Sequence, residues 1–465
     1  MRHAIGFAIA AALAVGATAT THVTDLHAIS SISPTPVIAW SLETHRAVVV
    51  PLARVGNRLP GEAAVPLYER GAAQAAQTSD DVVLGWNEIA VATIGAQPPF
   101  PSTRSMATVQ LAVFEAVNAI SGKYKPYLGT ITAPAGASTE AAAITAAHGV
   151  LKALFPAAGE TLDQHRDDSF AWLPDGQAKR DGIAVGEAAA AAMIGERTGD
   201  GSAPAQFYLP TNSAPYEWQA TPSCPPAGGA FLHWGNVKPF GIQSSFQFRA
   251  DPPPAMSSEE YAEDFNEVLA LGHINSPNRS QHSVHVARIY AAQPPHQGWN
   301  SVARQIINTR DDDITDTART LALMNMSLAD AHITVFESKY FYRTWRPETA
   351  IPRAGEDFNP GTAPSAFTPF IATPCFPGYP SAHGVGAGAA SRVLWKAYGR
   401  HHTVINSHPS VPGVVLTYYD LLDIVKAVSD ARVYGGIHFR TDQDVSEGQG
   451  KSIAQWNLDN HLRRR

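Results

Sequence analysis

The chain has 465 residues, of which 45% are hydrophobic and 16% charged, and its formal net charge is -7. That is ample material for a large buried core. With no basic tract and no zinc-finger spacing, the sequence excludes a general nucleic-acid binder, and the triplet Arg463-Arg464-Arg465 reads as a solvated tail.

Residues 1–19 read as a secretory signal. Arg2 and His3 form a short basic segment, an apolar stretch follows from Ala4 to about Val15, and Ala17-Thr18-Ala19 offers a small-residue cleavage site. The expectation is a secreted or periplasmic protein. The apolar run is short for a membrane span, and no other stretch reaches about 18 apolar residues, so no stable span is expected. Residues 20–80 lack periodicity and read as an irregular arm. Cys224 and Cys375 lie in separate Pro-rich loops, and whether they pair is left open.

A helical pattern starts near Asp81 and is broken by the prolines of "PPFPS". The next helix carries Met106, Val109, Val113, Val117 and Ile120 as one apolar stripe. Ala-rich helices are expected over about 138–155 and 177–198, and a long Pro-, Gly- and aromatic-rich loop over 201–255. Helices resume at about 257–271, behind the start signal "SSEE", and at 280–292. The segment from Asp316 to Trp345 is apolar on most of its circumference, as a central bundle helix would be. Further helices are expected at about 384–399, 416–434 and 443–457. Alternating strands are scarce, and the fold class is all-α, packed bundles joined by long loops. We divide the chain into a helical region over 81–330 and a catalytic region over 331–465.

Three pieces of the last third carry chemistry. "KYFYRTWRP" holds Lys339, Arg346 and Pro347; "PSAH" holds Ser381, Ala382 and His383; "ARVYGGIHFRTD" holds Arg432, His438 and Asp442. A lone ammonium at the end of a buried helix is costly unless an anion faces it. Arg346 and Arg432 can each fork onto two oxygens of a tetrahedral oxyanion. Ser381 and the N–H groups at the mouth of the following helix add donors. Gly435-Gly436 offers a turn that aims His438 inward, Asp442 four residues on can orient its ring if the backbone there is helical, and His383 can give or take a proton. Each piece alone has a plainer reading. A Lys or Arg at a helix end pairs with the dipole, a Ser before a helix caps it, and Asp442 can cap the last helix. Their occurrence in this order is what points to an oxyanion cage.

The spacing K-x6-RP, then PS-x-H, then R-x5-H-x3-D resembles the superfamily of vanadium-dependent haloperoxidases and type 2 phosphatidic acid phosphatases. "WNEIAVATI", "LAVFEAVNAI", "WGNVKPF" and "FNEVLALG" extend the likeness toward the bacterial haloperoxidase-like branch. The resemblance implies an all-helical fold with its site in a helix bundle. In a haloperoxidase, His438 would be the axial ligand of the cofactor vanadate. Lys339, Arg346, Ser381, Arg432 and the N–H of Ala382 would hold its oxygens, and His383 would be the acid–base group. Hydrogen peroxide and halide would give hypohalous acid, with a small organic acceptor downstream. In a phosphatase of the same superfamily, His438 would attack phosphorus and His383 would protonate the leaving oxygen. A non-catalytic member would only bind phosphate or a partner. The family usually has Gly where this chain has Ala382. If that position needs a positive φ, Ala costs about 1 kcal/mol and loosens the cage. Phe376, five residues before Ser381, stands where family chloroperoxidases have Phe and bromoperoxidases tend to have His. The large helical N-terminal half and the missing spans favour the haloperoxidase.

Other clusters are given no chemistry. Asp311-Asp312-Asp313 reads as an acidic helix start, and His401, His402 and His408 read as residues of a Pro/Gly-bounded loop without metal-ligand spacing. "GGIHFRTD" lacks the ending of a phosphate-binding P-loop.

Overall fold

A computed structural model describes residues 37–41, 46–50 and 79–465, with residue 96 left out. The proposed signal lies outside these residues. Within the arm expected to be irregular, β1 (Val37–Ser41) and β2 (Arg46–Val50) form an antiparallel pair, with Val37 opposite Val50 and Ser41 opposite Arg46. That corrects the reading of the arm as wholly irregular. The apolar runs "VIAW" and "AVVV" carry the β-branched residues that suit a strand.

The residues from 79 on form one compact unit, and among the described residues there are 13 α-helices. The first group comprises α1 (Ser79–Ile94), α2 (Pro99–Ser121), α3 (Thr139–Leu154), α4 (Gly159–Phe170) and α5 (Gln177–Glu196). Prolines 98 and 99 open α2 without loss, because the first N–H groups of a helix lack partners anyway; Gly122, at φ 65°, closes it. The expected stripe is buried from Met106 to Val117, and so is most of the helix circumference. Alanines on α3 and α5 allow the close packing seen between these two helices.

The long irregular stretch arrives as expected and leads to α6 (Glu259–Gly272), α7 (Gln281–Ala292) and α8 (Pro295–Ile307). Ser258 caps α6 by accepting the Tyr261 N–H, as the start signal predicts. Helices α4 and α8 are additions to the expected set. In α4 only Leu162 among the apolar residues is fully buried, so no stripe exists to detect. In α8 the double proline suggests a loop, yet Pro295 sits at the helix start where proline is tolerated.

The central helix is α9 (Ile314–Tyr342), buried from Thr315 to Lys339 and capped by Asp313, which accepts the N–H groups of Thr315 and Asp316. It packs on α2 at one side and on α11 (Ala382–Tyr398) and α13 (Arg440–Asn460) at the other. Since α9 runs unbroken through residue 330, the two regions divided there are joined by a shared helix rather than by a linker. The remaining elements are the short α10 (Pro347–Ala350), strands β3 (His401–Ser407) and β4 (Val415–Asp420), and α12 (Leu421–Tyr434). The antiparallel β3–β4 pair corrects the loop reading of 401–408 and trims the helix expected from 416. Its alternation is legible in β4, where Leu416, Tyr418 and Asp420 point inward.

The small residues of α11 explain its sequence. A Cβ on Gly388 would come within 2.3 Å of the Glu447 carbonyl of α13, and one on Gly450 within 2.0 Å of the Val385 carbonyl. Glycine at these two positions lets the backbones of α11 and α13 touch. This fixes the mouth of α11 against the start of α13.

Candidate active site

The three sequence pieces converge on the mouth of α11. Lys339 stands in the last turn of α9, and Arg346 at the start of α10; both are fully buried. Arg432 lies in the last turn of α12, and His438 in the turn between α12 and α13. Gly436, at φ 75°, makes that turn, in a spot where a Cβ would strike the Gly272 carbonyl. Ser381 is the N-cap of α11, its Oγ accepting the Gly384 N–H at 3.3 Å. The first-turn N–H groups at 382 and 383 have no acceptor within the helix.

His438 is held at both nitrogens. Its Nδ1 lies 2.7 Å from Asp442 Oδ2, and Arg346 Nη1 lies 2.8 Å from its Nε2. A carboxylate accepts and a guanidinium donates, so the ring proton sits on Nδ1 and the Nε2 lone pair faces the cage. Asp442 Oδ2 also accepts the Phe439 N–H at 3.2 Å, so it caps α13 while it orients the ring. His438 precedes the helix, so Asp442 reaches it through this cap and not through helical spacing.

The cations are steered by backbone oxygens that carry no sequence signal. Lys339 Nζ donates to the carbonyls of Pro377 at 2.8 Å and Gly378 at 2.6 Å, and Arg346 donates to Phe376 and Ile437. Arg432 Nη1 donates to the Tyr290 carbonyl at 3.1 Å. The Phe376 ring lies 5.3 Å from Lys339 Nζ and 5.2 Å from the Arg346 guanidinium carbon, a cation–π arrangement at the cage wall. Cys375, next to Phe376, is bonded to Cys224, which answers the pairing left open by sequence.

Three buried cations and one buried carboxylate therefore share this site around His438. Burial pushes the Lys339 ammonium well below its usual range, with Arg346 adding to the shift. Burial takes Arg346 down to about 10, and Arg432 to about 9 with Arg346 assisting. His383 and His438 are both driven well below the usual imidazole range, first by burial and then by these cations. Burial raises Asp442, against the pull of Lys339 and Arg346. Donors remain unused: Arg346 Nη2 and Arg432 Nε are buried without a partner, and Lys339 spends two of its three N–H bonds on carbonyls. Such a donor set with excess positive charge fits a tetrahedral oxyanion such as vanadate or phosphate. Among the described residues, no cluster of three or more His, Cys, Asp or Glu side chains could hold a bare metal cation.

His383 is half-buried, on the wall of a mainly apolar cleft shared with Tyr290, Trp299, Val302, Ile424 and Val428. Ala382 is the first residue of α11 and has no positive φ. Its methyl is buried in the main core, so the backbone penalty considered for it does not arise.

The helical bundles and this cage define a mainly helical protein with a buried site for an oxyanion. Residues 319–464 match the family model described as the VCPO second helical-bundle domain. These likenesses support a place in the superfamily of the vanadium haloperoxidases, the family model covering the last third of the chain. The chain is 26% identical over 203 residues to the vanadium chloroperoxidase of Curvularia inaequalis, a match covering 37% of this chain and 33% of that one. The chain thus spans about a third of that relative's length. The structure of the first bacterial vanadium-dependent iodoperoxidase superposes with a TM-score of 0.69 at 25% identity, covering 83% of this chain and 96% of the other. A holo-type bacterial vanadium-dependent chloroperoxidase superposes with a TM-score of 0.64 at 17% identity, over 83% and 95% of the two chains; this is a likeness of fold.

Proposed function

We propose that the protein is a vanadate-dependent haloperoxidase that oxidises halide with hydrogen peroxide to hypohalous acid. The observation that carries this reading is the unbalanced cage, three buried cations with unpartnered donors around the Nε2 of His438. The names of the relatives, an iodoperoxidase and chloroperoxidases, favour halide oxidation over ester hydrolysis. His438 Nε2 would hold the vanadate. Lys339, Arg346, Ser381, Arg432 and the N–H of Ala382 would hold the oxygens. Bound vanadate supplies a Lewis acid that activates hydrogen peroxide toward halide. Halide, peroxide and one proton give hypohalous acid and water, and His383, its imidazole held well below its usual range by desolvation and the neighbouring cations, is the group to pass that proton.

A second reading, a phosphomonoesterase, draws on the Asp442–His438 pair, which suits a nucleophile as well as a ligand. The two part on one comparison. The haloperoxidase oxidises iodide or bromide only after loading with orthovanadate and leaves p-nitrophenyl phosphate intact. Hydrolysis of p-nitrophenyl phosphate inhibited by orthovanadate, without halide oxidation, would select the phosphatase.

We place the protein in an exported, oxidising compartment. The apolar N-terminal segment supports this, and so does the Cys224–Cys375 disulfide. Among the described residues, no helix is long and apolar enough to cross a membrane.

A further inference from the structure

We propose that His332 is a positioning residue that holds the peptide between Ala382 and His383 in place. His332 lies within α9 and is fully buried. Its Nε2 is 3.2 Å from the Ala382 carbonyl oxygen, and its Nδ1 is 3.0 Å from Thr103 Oγ1 on α2. Burial lowers its pKa to about 4, so the ring is neutral and carries one N–H. A carbonyl can only accept, which puts that N–H on Nε2 and leaves Nδ1 to accept from the Thr103 hydroxyl. The same hydroxyl is 2.9 Å from the Phe100 carbonyl and shares its single proton between the two acceptors.

The room for this ring is made by α11 itself. A Cβ on Gly386 would come within 3.2 Å of His332 Nε2 and 3.0 Å of Leu328 Cδ1. Glycine one turn inside the helix mouth therefore lets the imidazole reach a first-turn carbonyl. That carbonyl and the His383 N–H belong to one peptide group. Donation to its oxygen polarises the N–H at its other end and fixes the plane from which the His383 side chain departs. The N–H groups at 382 and 383 are the ones an oxyanion at this helix mouth would take. His332 thus ties the first helical group, through Thr103, to the anion-facing end of α11.

This inference rests on reading the cage as an oxyanion site, and its test separates the two. Orthovanadate binding to the full chain is measured by calorimetry, with inorganic phosphate as a second probe and a thermal midpoint for every variant. His332→Leu, which fills the space without a donor, should weaken orthovanadate binding roughly tenfold. His332→Gln, whose amide nitrogen can stand where Nε2 stood, should stay within roughly threefold of the parent. Thr103→Val, which frees the ring to turn, should cost roughly threefold. Parent-like affinity in a folded His332→Leu overturns the inference, and so does an equal loss in His332→Leu and His332→Gln. If His332→Leu does not fold, Thr103→Val decides, and unchanged affinity there overturns it. A parent chain that binds neither ion sinks the cage reading, and this inference with it.

Discussion

Oδ2 of Asp442 takes two hydrogen bonds at once, from the Nδ1–H of His438 at 2.7 Å and from the Phe439 N–H at 3.2 Å. Helix capping and imidazole orientation are therefore one act. The start of α13 fixes the tautomer of His438, and the tautomer leaves Nε2 as the atom a bound oxyanion would meet. In the structure Arg346 Nη1 donates to that nitrogen, so ligation at Nε2 requires Arg346 to turn its donors onto the oxyanion.

Replacing Asp442 with Asn removes the charge that favours an Nδ1-protonated ring. Partners behind metal-ligating histidines typically contribute 10- to 100-fold in affinity. We expect Asp442→Asn to weaken orthovanadate binding by about that factor, with a smaller change in thermal midpoint. Titration of both proteins with orthovanadate checks it, and equal affinities would remove Asp442 from the site.

Ala382→Gly tests the departure from the family pattern. Ala382 sits in the first turn of a helix without a positive φ, and its methyl is buried. Glycine there gains no conformational relief and loses packing, so the variant should be about 0.5–1 kcal/mol less stable and bind orthovanadate no more tightly. A denaturant titration beside a binding curve decides the point. Tighter binding by Ala382→Gly would mean that the methyl crowds the cage.

The disulfide should matter to the cage as well as to stability. Cys375 precedes the carbonyls of Phe376, Pro377 and Gly378, which hold Arg346 and Lys339. Replacing both cysteines with Ser should cost about 2–4 kcal/mol and loosen those carbonyls, lowering orthovanadate affinity. Unchanged affinity would show that other bonds suffice, such as those from Ala230 N–H to the Cys375 carbonyl and from Ser223 Oγ to the Thr373 carbonyl.

His296 offers a pH test away from the cage. It is fully buried with neither ring nitrogen partnered, and burial lowers its pKa to about 3. A folded pKa below the unfolded value of about 6.5 means that its contribution is whole above pH 6.5 and is lost as the pH falls toward 3. At pH 5 this one group should cost about 2 kcal/mol relative to pH 7. The carboxyls of Asp264 and Asp442, both raised by burial, act in the opposite direction, so the quantity to measure is a difference. His296→Leu should be at least as stable as the parent at pH 7 and should lose about 2 kcal/mol less between pH 7 and pH 5. Parallel pH profiles for the two proteins would contradict the assignment.

Much of this architecture was legible because its signals are local. The stripe of Met106, Val109, Val113 and Val117, the all-round apolar α9 and the Ser258 cap each follow from side-chain chemistry within one element. The cage residues were legible because their spacing is shared with a known superfamily. What escaped is non-local. The carbonyls of Pro377, Gly378 and Tyr290 act through backbone and have no residue type. His332 looks like any core histidine until Ala382 is brought beside it. The polar α4 offered no stripe, and the β3–β4 pair was hidden among histidines, prolines and glycines.

The proposal that this cage holds an oxyanion on His438 and turns it to halide oxidation meets its sharpest test in bromide oxidation with hydrogen peroxide, measured before and after incubation of the purified protein with orthovanadate, alongside His438→Ala. Activity should appear with orthovanadate, be displaced by excess phosphate and be absent in His438→Ala. Bromide oxidation that is indifferent to orthovanadate, or undiminished in His438→Ala, would contradict it.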